Sequence, residues 1–167
     1  LRSLVGSEMC IRDSAIDLSG NLTLSGDHFL TLSGAISGAG GLTKTGFGTL
    51  VLQGNNTYDG VTTVSDGALQ VGMGGTMGSL GTGAVVNNGF VLLSRSNNMT
   101  LSNDFSGFGM LSQNGPGVTT LTGDSSAFTG TTSVSNGGLN VSNKLGGTAV
   151  TVSSGASLAG AGTISGH

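Results

Sequence analysis

The chain has 167 residues, a net charge of −3 and only 8% charged residues, far below the roughly 25% of ordinary soluble domains. It contains 33 Gly and is also rich in Ser and Thr, while strong helix formers are few, so the composition disfavours a helical fold and favours short strands joined by small turns. With five Lys and Arg in total, the chain lacks the basic surface on which nucleic-acid binding depends.

Residues 1–14 differ from the rest of the chain. They contain the only Cys (Cys10), the only Glu (Glu8) and two of the three Arg, and they lack the regular Gly spacing that begins at Gly20. The run from Val5 to Ser14 resembles a translated non-native leader. We therefore expect residues 1–14 to be a non-native or disordered leader that packs against no regular element, and residues 15–167 to form the folded unit.

The rest of the chain contains an internal repeat. Residues 36–71 align with residues 105–141 at an offset of 69, which becomes 70 after one inserted residue. Low-complexity sequence would match Gly and Ser by chance, but it would not keep apolar positions in step. Leu42, Leu52 and Leu69 of the first copy align with Leu111, Leu121 and Leu139 of the second. The alignment therefore indicates a true repeat.

Short apolar alternations recur about every 20 residues and predict half-buried strands. A coil of this length with two or three strands is typical of a stacked repeat protein. The sequence thus predicts an all-β chain, a parallel β-helix of roughly seven coils with coils pairing side by side. The side chains expected to point inward are Leu50, Leu52, Leu69, Val71, Phe90 and Leu92.

Gly-containing pairs precede several of these strands and predict corners, because Gly adopts a positive φ without strain. The pairs are Asp66-Gly67, Asn88-Gly89, Asn136-Gly137 and Ser154-Gly155. The same pairs are also typical of antiparallel hairpins. An antiparallel β-sandwich is therefore the alternative fold.

Residues 40–72 resemble the passenger-associated repeat of bacterial autotransporters, also called the autotransporter-associated β-strand repeat. Residues 78–89 resemble its usual continuation, and the second copy departs from it where Gln113-Asn114 replaces Lys-Thr. The resemblance implies a right-handed parallel β-helix that a C-terminal β-barrel translocator exports by type V secretion. It also implies that the chain is an internal fragment of a protein anchored at the outer membrane, on the bacterial cell surface, or secreted.

No cluster of residues predicts chemistry. The Gly-x-Gly pairs lack the third Gly of a dinucleotide-binding loop, and the two His residues, His28 and His167, are too few for a metal site or a catalytic triad. The six Asp residues after the leader are expected to serve turns and solubility, and Lys44 and Lys144 are expected to be exposed. We predict no catalytic, cofactor-binding or metal-binding residues and no cofactor. The Asp residues are Asp17, Asp27, Asp59, Asp66, Asp104 and Asp124.

These observations favour a non-catalytic structural or display segment of a passenger, with an adhesin-like role. The alternative is a fragment of a β-helical carbohydrate-active or protease passenger whose catalytic residues lie elsewhere. The expected partners are the translocator and surface ligands on host or neighbouring cells, and no nucleic acid. Because the last residues still look repeat-like and uncapped, the isolated fragment is expected to associate end to end.

Overall fold

The computed structural model describes residues 3–5, 10–147 and 149–165, and all regular elements in these ranges are strands. The first eleven are β1 (Ser3–Val5), β2 (Cys10–Arg12), β3 (Ile16–Asp17), β4 (Leu22–Ser25), β5 (Leu30–Leu32), β6 (Ile36–Ser37), β7 (Leu42–Lys44), β8 (Thr49–Leu52), β9 (Thr62–Val64), β10 (Ala68–Val71) and β11 (Val85–Asn87). The others are β12 (Phe90–Leu93), β13 (Met99–Leu101), β14 (Phe105–Ser106), β15 (Met110–Gln113), β16 (Val118–Leu121), β17 (Asp124–Ser125), β18 (Thr131–Val134), β19 (Gly138–Val141), β20 (Lys144–Leu145), β21 (Ala149–Val152), β22 (Ser157–Ala159) and β23 (Thr163–Ile164).

The strands form a solenoid of about seven coils with three faces. The first face holds the sheet β1-β4-β7-β9-β11-β14 and, beyond it, β17-β20-β23. The second face holds the eight-stranded sheet β2-β5-β8-β10-β12-β15-β18-β21, and the third holds β3-β6 and β13-β16-β19-β22. The edge where the chain passes from the first face to the second is called the first corner below.

All strand pairs in the described residues are parallel, which confirms the β-solenoid and rules out the antiparallel sandwich. On the second face, for example, Leu30 pairs with Leu50 and Leu50 pairs with Leu69. Gly67 and Gly137 both take φ of +63° at the ends of predicted Asp-Gly and Asn-Gly pairs, where the chain turns between faces. These pairs are therefore corners of parallel coils rather than hairpin turns.

Rows of inward side chains fill the interior. Two of them lie on the second face, where register stacks equivalent positions of successive coils directly on one another. Leu50, Leu69, Val91 and Leu111 are all at most 1% exposed. Complete burial of one such side chain stabilises the fold by about 1.5–3 kcal/mol, so each coil is held chiefly by the coils above and below it.

The inward positions are confirmed for Leu50, Leu52, Leu69 and Val71 and wrong for Phe90 and Leu92. Leu69 pairs with Val91, whereas the predicted alternation aligned Leu69 with Phe90. Because side chains alternate along a strand, a shift of one residue exchanges the two faces. Phe90 is consequently 50% exposed, while Val91 and Leu93 are buried.

Two parts of the segment 1–14 are strands in the structure. Residues 3–5 (β1) pair in parallel with β4, and residues 10–12 (β2) pair with β5. The expectation that this segment packs against no regular element therefore does not hold for these strands. Its origin and its contribution to stability stay predictions.

The two copies of the repeat carry corresponding strands on different faces. In the first copy β7 lies on the first face and β8 on the second, whereas the corresponding β15 lies on the second face and β16 on the third. The same shift relates β9 to β18 and β10 to β19. The sequence repeat thus spans three coils plus one further face.

Candidate functional site

The acidic residues are spread around the solenoid, and several accept hydrogen bonds from the neighbouring coil. Asp59 accepts a hydrogen bond from the Thr82 hydroxyl at 2.8 Å, and Asp104 accepts one from the backbone N–H of Asp124 at 2.7 Å. Asp27 likewise accepts a hydrogen bond from the backbone N–H of Phe47, at 2.9 Å. Within the part of the chain that the structure describes, no three His, Cys, Asp or Glu side chains converge as metal ligands would.

Lys44 is buried, in contrast to its predicted exposure. It occupies an inward position of β7, in the row between Leu24 and Val64, and is 4% exposed. Its ammonium group donates hydrogen bonds to the carbonyl oxygens of Thr45 at 2.7 Å and Gly46 at 2.6 Å. Burial lowers the pKa of Lys44, and the nearby carboxylates of Asp27 and Asp66 oppose that shift. The side chain thus stabilises the first corner from the interior of the solenoid.

Gln113 performs the same task in the second copy of the repeat, where it aligns with Lys44. Its amide NH₂ donates hydrogen bonds to the carbonyl oxygens of Gly115 at 2.8 Å and Gly117 at 3.0 Å, at the corner between the second and third faces. Its amide oxygen accepts a hydrogen bond from the Thr119 hydroxyl at 2.7 Å. Two different side chains therefore satisfy corner carbonyls at corresponding places.

Lys144 is exposed, as predicted, and pairs with Asp124 across neighbouring coils at 3.0 Å. Hydrogen bonds from Ser126 and from Lys144 lower the pKa of Asp124 to about 2. Both side chains are roughly half exposed, so this ion pair contributes little to stability. The Asp104 carboxylate on the preceding coil accepts a hydrogen bond from the backbone N–H of Asp124, so all three side chains have structural roles at the surface.

His28 and the Gly-x-Gly pairs also have plain structural settings. His28 is exposed in the turn between β4 and β5. The segments Gly38-Ala39-Gly40, Gly46-Phe47-Gly48 and Gly107-Phe108-Gly109 are corners at which the coil passes from one face to the next. An added Cβ at Gly48 would collide with the backbone of His28 in the coil below, so these glycines allow close stacking rather than phosphate binding. His167 lies outside the described residues.

Aromatic side chains at the first corner form the surface feature that sequence reasoning missed. The chain has six Phe and one Tyr, and Tyr58, Phe105 and Phe128 are buried in the core. The four exposed ones all lie along the first corner: Phe29 (37% exposed), Phe47 (82%), Phe90 (50%) and Phe108 (71%). The available signal was a Phe inside two Gly-x-Gly turns.

The structure, in the residues it describes, has no helix of the length and apolarity that crossing a membrane would take.

Comparison with known proteins identifies the repeat. The passenger-associated-transport-repeat family matches residues 42–71 and 111–141, the two copies described above. The chain is 44% identical over 89 residues to the adhesin BmaC autotransporter of Brucella suis biovar 1 (strain 1330), a match that covers 51% of this chain and 2% of that protein. It is 57% identical over 49 residues to an extracellular serine protease of Serratia marcescens, covering 29% of this chain and 5% of that protein. No solved structure matches the chain.

Proposed function

This chain is a segment of a bacterial autotransporter passenger that carries two passenger-associated-transport-repeats, and we propose that it acts as a non-catalytic display segment of that passenger. Autotransporter passengers are exposed at the cell surface or secreted, which gives the location of this segment. The proposal covers only a short span, because the chain covers 2% and 5% of the lengths of the two relatives.

The observation that carries the proposal is the continuous stacking of parallel coils. Successive strands of the second face pair in register from β2 to β21, so the chain forms a rod whose length grows by about 4.8 Å with each coil. The inward rows are mainly apolar, and two of their polar members, Lys44 and Gln113, donate hydrogen bonds to the corner carbonyls. Such a rod suits a segment that holds other parts of a passenger away from the membrane.

The adhesin relative favours an adhesin-like role for the whole passenger, with ligands on host or neighbouring cells as its partners. The protease relative supports the alternative that the segment belongs to an enzymatic passenger. A display segment serves either kind of passenger in the same way. The purified chain should therefore hydrolyse neither casein nor a polysaccharide, and hydrolysis by the chain itself would contradict the proposal.

Removal of one structural coil from the full-length passenger tests the display function. Residues 49–67 make one coil, because Thr49 pairs with Ala68, and their deletion joins Gly48 directly to Ala68. We expect intact cells to bind an antibody against an epitope inserted in the exposed loop 73–77 equally well with and without this deletion. If the shortened passenger is still exported but its epitope is no longer labelled on intact cells, display would depend on this particular coil. That result would contradict a role that rests on the stacking of coils alone.

End-to-end association of the isolated chain is part of the same proposal. Val152 and Leu158, in the last described coil, are 41% and 37% exposed. Their pairing partners in the preceding coil, Val134 and Leu139, are buried. The last coil therefore presents apolar side chains that a further coil would cover, and light scattering of the purified chain should show species larger than a monomer.

A further inference from the structure

The exposed Phe residues at the first corner are not required by the turns that carry them. Gly-x-Gly turns also form other corners, where the middle residue is Ala39, Pro116 or Ala161, each exposed. Only at the first corner is the middle residue aromatic, in Phe47 and Phe108. The same turn therefore folds with small residues, and the position on the solenoid, rather than the turn, accounts for the rings.

The four rings form one ladder along the solenoid axis. Phe29 adjoins Leu30, which pairs with Leu50, so it lies in the row that continues through Thr49, Ala68 and Phe90. Phe47 and Phe108 lie two residues before this row, each on a neighbouring coil. From the coil of Phe29 to that of Phe108 there are four steps of about 4.8 Å, or about 19 Å in all.

Polar groups interrupt the ladder and set its charge. Asp27, His28, Asp66 and Asn88 occupy the turns between the rings, and Asp27 and Asp66 are exposed carboxylates. Lys44, whose ammonium group interacts with both carboxylates, is buried beneath the corner. The corner is thus aromatic and weakly acidic, which disfavours an anionic ligand or an anionic lipid surface.

Two other kinds of partner fit the corner poorly. A peptide strand would need free backbone groups, but the N–H of Gly48 and of Met110 donate to neighbouring coils at 3.1 and 2.8 Å. A second copy of the chain would bury about 500 Å² of Phe surface, less than the roughly 800 Å² per partner of a stable interface. It would also bring Asp27 and Asp66 of both copies together.

Resting on the proposed display function, we propose that the first corner binds neutral glycans, with sugar rings stacked on Phe47 and Phe108 and with Phe29 and Phe90 extending the platform. A pyranose ring offers an apolar C–H face and a rim of hydroxyl groups. The corner offers aromatic faces at intervals of one or two coils, with carboxylate, amide and hydroxyl groups between them. Ligand sites commonly combine aromatic contact area with a few polar groups that fix orientation.

Saturation-transfer NMR of the whole chain with cellohexaose tests the proposal. We expect saturation on the ring C–H protons, and binding about tenfold weaker in the Phe47→Ala/Phe108→Ala variant, since each aromatic contact contributes modestly. The variant should fold normally because both rings are mostly exposed. A Phe47→Tyr/Phe108→Tyr variant, which keeps both rings, should retain binding.

The matched control is Val61→Ala/Met73→Ala, which removes two side chains of 46% and 52% exposure away from the first corner and should leave binding unchanged. Dextran sulfate and anionic phosphatidylglycerol vesicles should bind more weakly than cellohexaose. Absence of cellohexaose binding, equal loss in the control, or preference for either anionic probe would overturn the glycan proposal. None of these results would affect the surface labelling on which the display function rests.

Discussion

The two copies of the repeat, residues 42–71 and 111–141, form corresponding strands, but those strands lie on different faces of the solenoid. In both copies the same aligned positions point inward and the same aligned positions form corners. The corresponding strands β7 and β15 nevertheless belong to different sheets. The repeat therefore encodes the path of the chain through a coil rather than the identity of a face. Interior chemistry can be repeated by rotation, whereas a surface feature that follows one edge, such as the Phe ladder, cannot.

The two corners at which Lys44 and Gln113 donate hydrogen bonds to backbone carbonyls also differ between the copies, in their side chains. Gln113 has a donor and an acceptor, and its acceptor is used by the Thr119 hydroxyl. Lys44 has only donors, and the position that corresponds to Thr119 holds Leu50, which offers no hydrogen-bonding group. Leu50 and Thr119 stand six residues after Lys44 and Gln113, respectively. At each corner the residue that donates to the carbonyls therefore matches the residue six positions later: Lys44 goes with Leu50, and Gln113 goes with Thr119.

The largest effects should come from the buried aromatic residues, Tyr58 in the first copy and Phe128 in the second, both 0% exposed. Tyr58→Ala and Phe128→Ala should each lower the free energy of unfolding by about 3–5 kcal/mol, because each leaves a cavity in the interior. Chemical denaturation measures this, with the exposed Phe47→Ala as a control of small effect. A loss of stability in one copy alone would contradict the equivalence of the two.

An exchange of the matched pairs should have the next largest effect. Lys44→Gln should cost about 1–3 kcal/mol, because its amide oxygen would be buried without the hydroxyl donor that Thr119 supplies in the second copy. Leu50→Thr should also destabilise the chain when Lys44 is present, since Lys offers no acceptor.

The double variant Lys44→Gln/Leu50→Thr recreates the pair of the second copy. It should recover stability, with a favourable coupling energy of at least about 1 kcal/mol in a double-mutant cycle. Additive losses would show that the two corners are not equivalent.

The free energy of unfolding should depend on pH through Tyr58, whose counterpart in the second copy, Phe128, has no ionisable group. Burial raises the pKa of Tyr58 above its ordinary 10.0, although its hydroxyl lies 2.7 Å from that of Thr62. A raised pKa means that the contribution is complete below pH 10 and is lost as the pH rises, because the unfolded chain ionises first. Wild-type protein should therefore lose stability relative to Tyr58→Phe above about pH 10.

The comparison with Tyr58→Phe is needed because Lys44 acts in the opposite direction. Its lowered pKa stabilises the fold as the pH rises, since the unfolded chain then holds more protons. A constant difference between wild type and Tyr58→Phe over this range would contradict burial of the phenol.

The smallest effect should come from the exposed pair of Asp124 and Lys144. The pKa of Asp124 is lowered to about 2, so its contribution is present above the ordinary pKa of 3.8 and is lost as the pH falls towards 2. Asp124→Asn should remove a small part of the acid dependence of unfolding and leave stability at neutral pH almost unchanged. A large loss at neutral pH would show that the pair is structural.

Sequence reasoning predicted the parallel coils and most of the interior, because period-two alternation and Gly corners are local signals. It placed Phe90 and Leu92 inward because residues 90–93 are all apolar, so alternation alone does not show which two of them face the interior. The coil from Leu69 to Val91 is 22 residues long, against 19 from Leu50 to Leu69. It placed Lys44 at the surface because charged side chains usually lie there, although Lys44 alternates with the inward Leu42. The carbonyl oxygens that hold its ammonium group belong to the next two residues, Thr45 and Gly46, and no residue pattern shows that backbone carbonyls will accept from a side chain.

The Phe ladder was missed for a related reason. Phe29, Phe47, Phe90 and Phe108 are not evenly spaced in the sequence, because they occupy two different rows and the coil between Phe47 and Phe90 carries Ala68 in place of a Phe. They come together only when the register is known. The rotation of the second copy was hidden in the same way, because the offset between the two copies in the sequence does not reveal how many faces it crosses.

Disulfide trapping tests that rotation most directly. In a Cys10→Ala background, Leu92→Cys/Ser112→Cys places two thiols at paired positions of adjacent strands on the second face, where both alternate with the inward residues, within the Cα separation that a disulfide spans. Val86→Cys/Ser112→Cys is the matched control, because Val86 lies on the first face, where Ser112 would pair if corresponding strands shared a face. Mild oxidation should cross-link residues 92 and 112 rapidly and leave 86 and 112 free; the reverse result would contradict the rotated arrangement of the two repeats.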